Sequence, residues 1–309
     1  MRRQPHVEFE LEDKDGALYP FEGPTRHLTG ISGIAMPPVK HWDTRSPFQH
    51  GESHWGYALQ PRLVTFGIQT VGCDRNDLWE RRQKNMDMLS PLRSPHKLRF
   101  HREDEHRFEL HEGWYQGGYE LAESDQDDPF ASTGPARLKF NEPAWKWVTV
   151  PLEAGQTRDN EGRVCALTVT FTTVNHLVLP FSGPFLLGTT TGTADVSANN
   201  AGSWEVKPVI TITGPCSDWT LTNNDTDHQI SWDGRLIDDG ETITISVPDR
   251  TAVDDDGVSV LEYLSGDYAT FALEPGDNDI EFWTADIEDG LYPNWPTIQM
   301  CFFVEVVGI

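Results

Sequence analysis

From Val206 onward, apolar residues fall at every second position in one short run after another. "VKPVITITG", "DWTLTN", "HQISWDG", "ETITISVP" and "TIQMCFFVEVV" all show the pattern, and Gly, Pro, Asn or Asp stand between them. A strand sends successive side chains to opposite faces, whereas a helix needs its apolar stripe at steps of three and four. Runs this short, with turn residues every 8 to 12 positions or so, bury a core by stacking two antiparallel layers, so this half reads as a β-sandwich. In "FALEPGDNDIEFW" the same logic makes Leu273 the end of one strand and Ile280 the start of the next, with Pro275, Gly276 and Asn278 forming the reversal.

The first half is also mainly β but is interrupted once. "VEFEL" and "ALYPFEG", joined by Lys-Asp-Gly, read as an opening hairpin, and "PRLVTFGIQTVG" as a long strand. Between them, short strands around "GISGI" precede an irregular loop from Pro37 to Trp55. The interruption is "DRNDLWERRQKNMDMLSPLRS", in which Asp74 or Asn76 can cap the first amides and Pro91 stops the run. Leu78, Trp79, Arg82, Met86 and Leu89 recur at helical steps, which predicts one α-helix over residues 76–90. "HKLRFHREDEHRFELHEGWYQGGYEL" then alternates as a hairpin turning at "REDE"; "WKWVTVPLEA" and "RVCALTVTFTTV" add a second β block. Leu187 to Ser203, "LGTTTGTADVSANNAGS", has almost nothing to bury and reads as a linker or exposed loop. A chain of 309 residues is long for one domain, and the expected division is 1–183 and 184–309.

Charge supports that division. The net charge is -25, and residues 184–309 hold 23 acids against Lys207, Arg235 and Arg250, which leaves -20 there and -5 for the rest. Such a surface repels phosphate backbones and argues against nucleic-acid binding. Arginine outnumbers lysine, as in GC-rich coding, while the acid excess equally suits a salt-rich cytoplasm that screens self-repulsion. Cys73, Cys165, Cys216 and Cys301 stand singly and read as four mostly buried thiols in a reducing compartment. The first residues lack the apolar core of a secretory signal, and no run approaches the roughly 20 apolar residues of a membrane span.

Candidate chemical sites are weak. His96, His101, His106 and His111 recur every five residues, which sends them to alternate faces of a strand rather than to one metal. Asp225, Asp227 and Asp233, and the run Asp254 to Asp256, lack the ligand spacing of a calcium loop and read as solvated turns. No hydrolase elbow, zinc-protease motif or nucleotide loop is present, so no catalytic or metal-binding residue and no cofactor is expected. Among the tryptophans of the sandwich half, Trp219 and Trp295 are the candidates for a sugar-stacking platform.

One ordered series goes further. "NNAGSWEVKPVITITG" carries Asn200, Gly202, Pro208 and Gly214; "LTNNDTDHQISWDGRLIDDGETITISVPDRTAVDDDG" carries Asn223, Gly240 and Glu241; "LEYLSGDYATFALEPGDNDIEFW" ends the series. Together, over Asn200 to Trp283, they resemble the C-terminal region of the distal tail proteins of long-tailed, non-contractile phages. The first half is similar in its helix-bearing core and in the closing strand "ALTVTFTTVNHLVL", but departs in a longer Glu123–Arg163 stretch and at Ser182 and Gly183, where an aromatic-rich segment often stands. The resemblance implies a mainly β chain: an N-terminal split β-barrel or sandwich with one α-helix and a β-hairpin, then a galectin-like β-sandwich. It implies a structural virion protein without enzymatic activity, assembled in the host cytoplasm as a homohexameric ring at the tail tip. Its expected partners are further copies of itself, the tail tube protein, the tail hub or tip protein, the tape measure protein, and receptor-binding proteins or cell-surface glycans. Ring closure is expected by edge pairing through the strand bearing Arg62, Val64, Phe66 and Ile68 and the hairpin bearing Lys97, Arg99 and Phe108. The alternative is a carbohydrate-binding β-sandwich protein acting in cell-surface attachment.

Overall fold

The computed structural model describes residues 8–44, 53–102, 105–119, 131–153, 156–170, 192–284 and 296–307. Strands run in chain order as β1 (Glu8–Glu12), β2 (Leu18–Pro20), β3 (Arg26–Ser32), β4 (Val39–Thr44), β5 (Ser53–Leu59) and β6 (Arg62–Val71). Helix α1 (Arg75–Met88) follows, then β7 (His96–His101), β8 (Arg107–Tyr115), β9 (Ala131–Phe140) and β10 (Trp145–Trp147). Next come β11 (Thr157–Arg158), β12 (Val164–Thr170), β13 (Gly192–Asn200), β14 (Val209–Thr213), β15 (Trp219–Asn223), β16 (His228–Trp232) and β17 (Thr242–Ser246). The last are β18 (Thr251–Val253), β19 (Leu264–Gly266), β20 (Gly276–Thr284), β21 (Thr297–Phe302) and β22 (Glu305–Val306).

Two compact units divide the chain: Met1–Thr149 with Glu305–Ile309, and Val150–Val304. The boundary expected at 183 falls outside the described residues. β12, placed in the first domain by the sequence reading, pairs with β21 inside the second unit.

In the first unit, nine strands form one open antiparallel sheet in the order β2-β1-β7-β8-β9-β6-β3, with β10 on β8 and β22 on β10. Alternation does what the sequence predicts: Leu11, Val64, Phe66, Ile68, Leu98, Leu110, Leu138 and Phe140 are all fully buried on one side. Phe21 stacks on Phe66 at 4.9 Å between ring centres. Helix α1 starts at Asp74, whose carboxylate accepts from the amides of Asn76 (2.8 Å) and Asp77 (2.9 Å). Its buried face is Leu78, Arg82, Asn85 and Met88, while Trp79 and Met86 are exposed. The predicted stripe is therefore rotated, because Asn85 rather than an apolar residue faces inward. Its amide donates to Thr70 Oγ1 (2.8 Å) and Tyr119 Oη (3.1 Å), and its oxygen accepts from Arg26 Nε (2.8 Å). Gly72 makes the close approach of β6 to α1: a Cβ there would lie 2.6 Å from the Leu78 nitrogen.

The second unit is a two-layer β arrangement. One sheet runs β11-β12-β21-β14-β17-β18 and the other β13-β20-β15-β16-β19. Each buries one face: Ile210, Ile212, Ile243, Ile245, Ile298 and Met300 from the first, Trp219, Leu221, Ile230, Trp232, Ile280 and Phe282 from the second. Two expectations are corrected here. Residues 192–200 of the expected linker form β13, which pairs with β20 along its whole length, because an edge strand needs backbone partners more than apolar side chains. The Pro-Gly-Asp-Asn segment is not a reversal between two strands. β20 begins at Gly276, and Leu273 instead makes a single bridge to Val206.

Candidate assembly surfaces

The asparagines of the sequence motif do one job together. Asn200, Asn223 and Asn278 are each fully buried, on β13, β15 and β20. Asn278 donates to the carbonyls of Glu274 (2.8 Å) and Gly276 (3.1 Å) and accepts from the Glu274 amide (2.8 Å). Asn223 donates to the Ala272 carbonyl (2.9 Å) and Asn200 to those of Trp204 (2.8 Å) and Leu273 (3.2 Å). The irregular segment 272–276, whose Gly276 has φ +100°, thus finds side-chain partners in place of a neighbouring strand. The motif is a backbone-satisfying device, and the Asp277 carboxylate beside it accepts from Asn199 Nδ2 at 2.7 Å.

The strands expected to close a ring are interior ones. β6 lies between β9 and β3, and β7 between β1 and β8, so neither offers a free edge. Val64, Phe66 and Ile68 are fully buried and Phe108 is 5% exposed. Arg62 is also buried: its guanidinium donates to the carbonyls of Pro143 (2.8 Å), Gly33 (3.0 Å), Ala35 and Val307 (2.6 Å), and burial pushes its pKa down to about 10. It binds the first unit together and is not a surface group. Period-two alternation identifies such strands but does not say which neighbours flank them.

Lys97 and Arg99 belong to an ionic network on the other face of the sheet. Lys97 reaches Glu12 (3.6 Å) and Glu109 (3.8 Å), and Arg99 bridges the same two carboxylates. Burial raises the Glu109 pKa, but the His111 bond and the Lys97 and Arg107 charges outweigh it and hold the carboxyl down to about 2. His111 lies 3.1 Å from Glu109 and 3.2 Å from Lys146 Nζ, and burial keeps its pKa below the usual value. The other histidines of the series disperse. His96 is 1% exposed with neither ring nitrogen bonded, His101 faces Glu10 at 3.4 Å, and His106 accepts from Trp147 Nε1 at 3.3 Å. The sole grouping of metal-type donors among the described residues is Asp159, Cys165 and Cys301, and the two cysteines are joined as a disulfide. That bond corrects the expectation of four thiols; Cys73 and Cys216 remain free.

Trp219 is not a sugar platform. It is 1% exposed and stacked on Trp232 at 6.2 Å, a core position that leaves no ring face for a ligand; Trp295 lies outside the described residues.

What sequence reasoning missed is the β4–β5 ribbon, read there as loop. Val39 pairs with Leu59 and Thr44 with Ser53, and neither strand pairs with any other among the described residues. Trp42 (47% exposed), Tyr57 (56%) and, just before the ribbon, Met36 (65%) present large apolar groups to solvent. The ribbon's ends meet, since the Gln60 amide donates to the Pro38 carbonyl at 2.7 Å. Alternation in "VKHW" was the available signal, obscured by a bulge after Trp42.

Comparison with known proteins agrees with these elements. Residues 201–300 match the family of siphovirus-type tail components, C-terminal domain. No curated protein matches the sequence. The crystal structure of SPP1 Dit, described as a paradigm of the hub adsorption apparatus in phages infecting Gram-positive bacteria, is similar over 95% of this chain and 98% of that one, at 10% identity and a TM-score of 0.59. A chain of the phage P2 baseplate in its activated conformation with calcium is similar over 92% and 99%, at 11% identity and a TM-score of 0.42. The chain thus carries, at residues 201–300, a stretch that matches the siphovirus-type tail component C-terminal domain, and it shares its overall fold with SPP1 Dit.

Proposed function

We propose that the chain is a non-enzymatic structural subunit that assembles as a homohexameric ring at the tail tip, joining the tail tube to the hub and host-attachment apparatus. The ring size and the tube, hub and tape measure partners come from the family resemblance. The observation that carries self-assembly is the β4–β5 ribbon. An isolated two-stranded ribbon is marginally stable in water, and one bearing exposed Trp42 and Tyr57 gains by lying on another surface. A neighbouring copy in a closed ring supplies such a surface on every subunit. The acidic second unit suits solvent exposure and discourages stray association.

Native mass spectrometry of the full chain tests the ring directly. Hexamers are the expected species, and a monomer that persists at high concentration would refute the proposal. Replacing residues 39–59 by a short Gly-Ser link between Pro38 and Gln60 is expected to leave a folded monomer. Hexamers that survive this deletion would move the contact elsewhere.

A further inference from the structure

We propose that the Cys165–Cys301 bond is a maturation clasp that locks the second unit by joining its second strand to its last. The chain enters this unit after Thr149 and leaves it after Val304, and the unit's second strand, β12, lies beside its last, β21, with Cys165 opposite Cys301. Their Cα atoms are 4.0 Å apart although 136 positions separate them in sequence. On the other side of both crossings, β10 pairs with β22 in the first unit. The bond therefore encloses nearly the whole second unit in one covalent loop, and β12 cannot peel from β21 without breaking it.

The sulfurs are poorly placed for casual exchange. Cys165 is 4% and Cys301 8% exposed, and the Asp159 carboxylate lies within 4.8 Å of both sulfurs. Asp159 is itself held by the amides of Glu161 (2.9 Å) and Arg163 (2.8 Å) and by the Arg163 guanidinium (2.6 Å), so its carboxylate is fixed beside the pair and crowds the approach to the sulfurs. Access to Cys165 comes through β11, an edge strand of two residues that covers β12. Resting on the virion reading, the protein is made among reducing thiols and works outside the cell, so the bond forms after release. The oxidant is a small disulfide such as oxidised glutathione. One cysteine thiolate attacks it to give a mixed disulfide and one glutathione thiol; the second displaces the other glutathione. Two electrons pass to the oxidant, and the two protons leave on its thiols.

The test uses the whole chain carrying Cys73→Ser, which removes the exposed competing thiol. Treatment with oxidised glutathione should yield a product lighter by two hydrogens and a peptide linking Cys165 to Cys301. Cys216, buried in the same unit with its thiol pushed up to about 12, first by burial and then by Glu241, then reports opening. Its alkylation by iodoacetamide in sub-denaturing urea should be slower in the oxidised than in the reduced chain by roughly 30- to 1,000-fold. Absence of the linked peptide, or equal Cys216 rates in the two forms, would overturn the clasp. The comparison uses one chain in two redox states, so it needs no cysteine variant at the clasp to fold. Ring formation is read separately by native mass spectrometry.

Discussion

Asn278 shows how much one buried amide can specify. Its oxygen and nitrogen each serve the Glu274 backbone, and the nitrogen also serves Gly276, so truncation leaves several buried polar groups without partners. Asn278→Ala is expected to destabilise the second unit by about 2–4 kcal/mol in urea unfolding. Asn278→Asp should cost at least as much, because it sets a charge against carbonyl oxygens; a loss below about 0.5 kcal/mol for either would mean that water replaces these bonds. Two acid-sensitive groups separate by pH window. Glu109 is held at about 2 in the folded protein against 4.5 in a free chain, so its ionised form stabilises the fold above about pH 4.5 and that contribution fades as pH falls towards 2. Glu109→Gln should remove that part of the pH dependence, on the order of 2–3 kcal/mol. His96 is neutral in the fold because burial lowers its pKa, so the unfolded chain takes up a proton first as pH drops below 6.5. His96→Leu is expected to flatten the stability curve in that higher window alone; an unchanged slope would show that His96 gains a partner in solution.

Among the elements, α1 was the most legible and also the most misread. Its cap, its length and its stop follow from Asp74, from the helical spacing and from Pro91, and Asp74→Ala should cost the first unit about 1 kcal/mol. Its inward face did not follow, because hydropathy counts Asn85 as polar and cannot see Thr70, Tyr119 and Arg26 waiting for it. Gly72 lies on the same seam, and Gly72→Ala is expected to lower the thermal midpoint of the first unit, since the new methyl meets helix backbone rather than a movable side chain. The β6 and β7 strands were recognised as strands and misplaced as edges. A strand's own residues record which face is buried, but its position in the sheet depends on partners such as β9 and β1 that are distant in sequence.

For the whole molecule, the charge division predicts a difference between the two units. The second carries most of the negative charge on few bases, so raising salt from about 0.02 M to about 0.5 M should raise the midpoint of its unfolding more than that of the first unit, as self-repulsion is screened. Equal shifts in differential scanning calorimetry would show that local ion pairs dominate instead. The sequence alone determined the β class, helix α1, the acid excess and the likeness of residues 201–300 to a tail-component domain, because side-chain alternation, capping residues and an ordered motif are local properties written along the chain. Tertiary structure alone decided that Cys165 faces Cys301, that Arg62 and Trp219 lie inside, and that β4 and β5 pair only with each other among the described residues. These outcomes depend on which distant segments become neighbours, and the free energy that selects such neighbours comes from the packing of the whole core rather than from any one stretch.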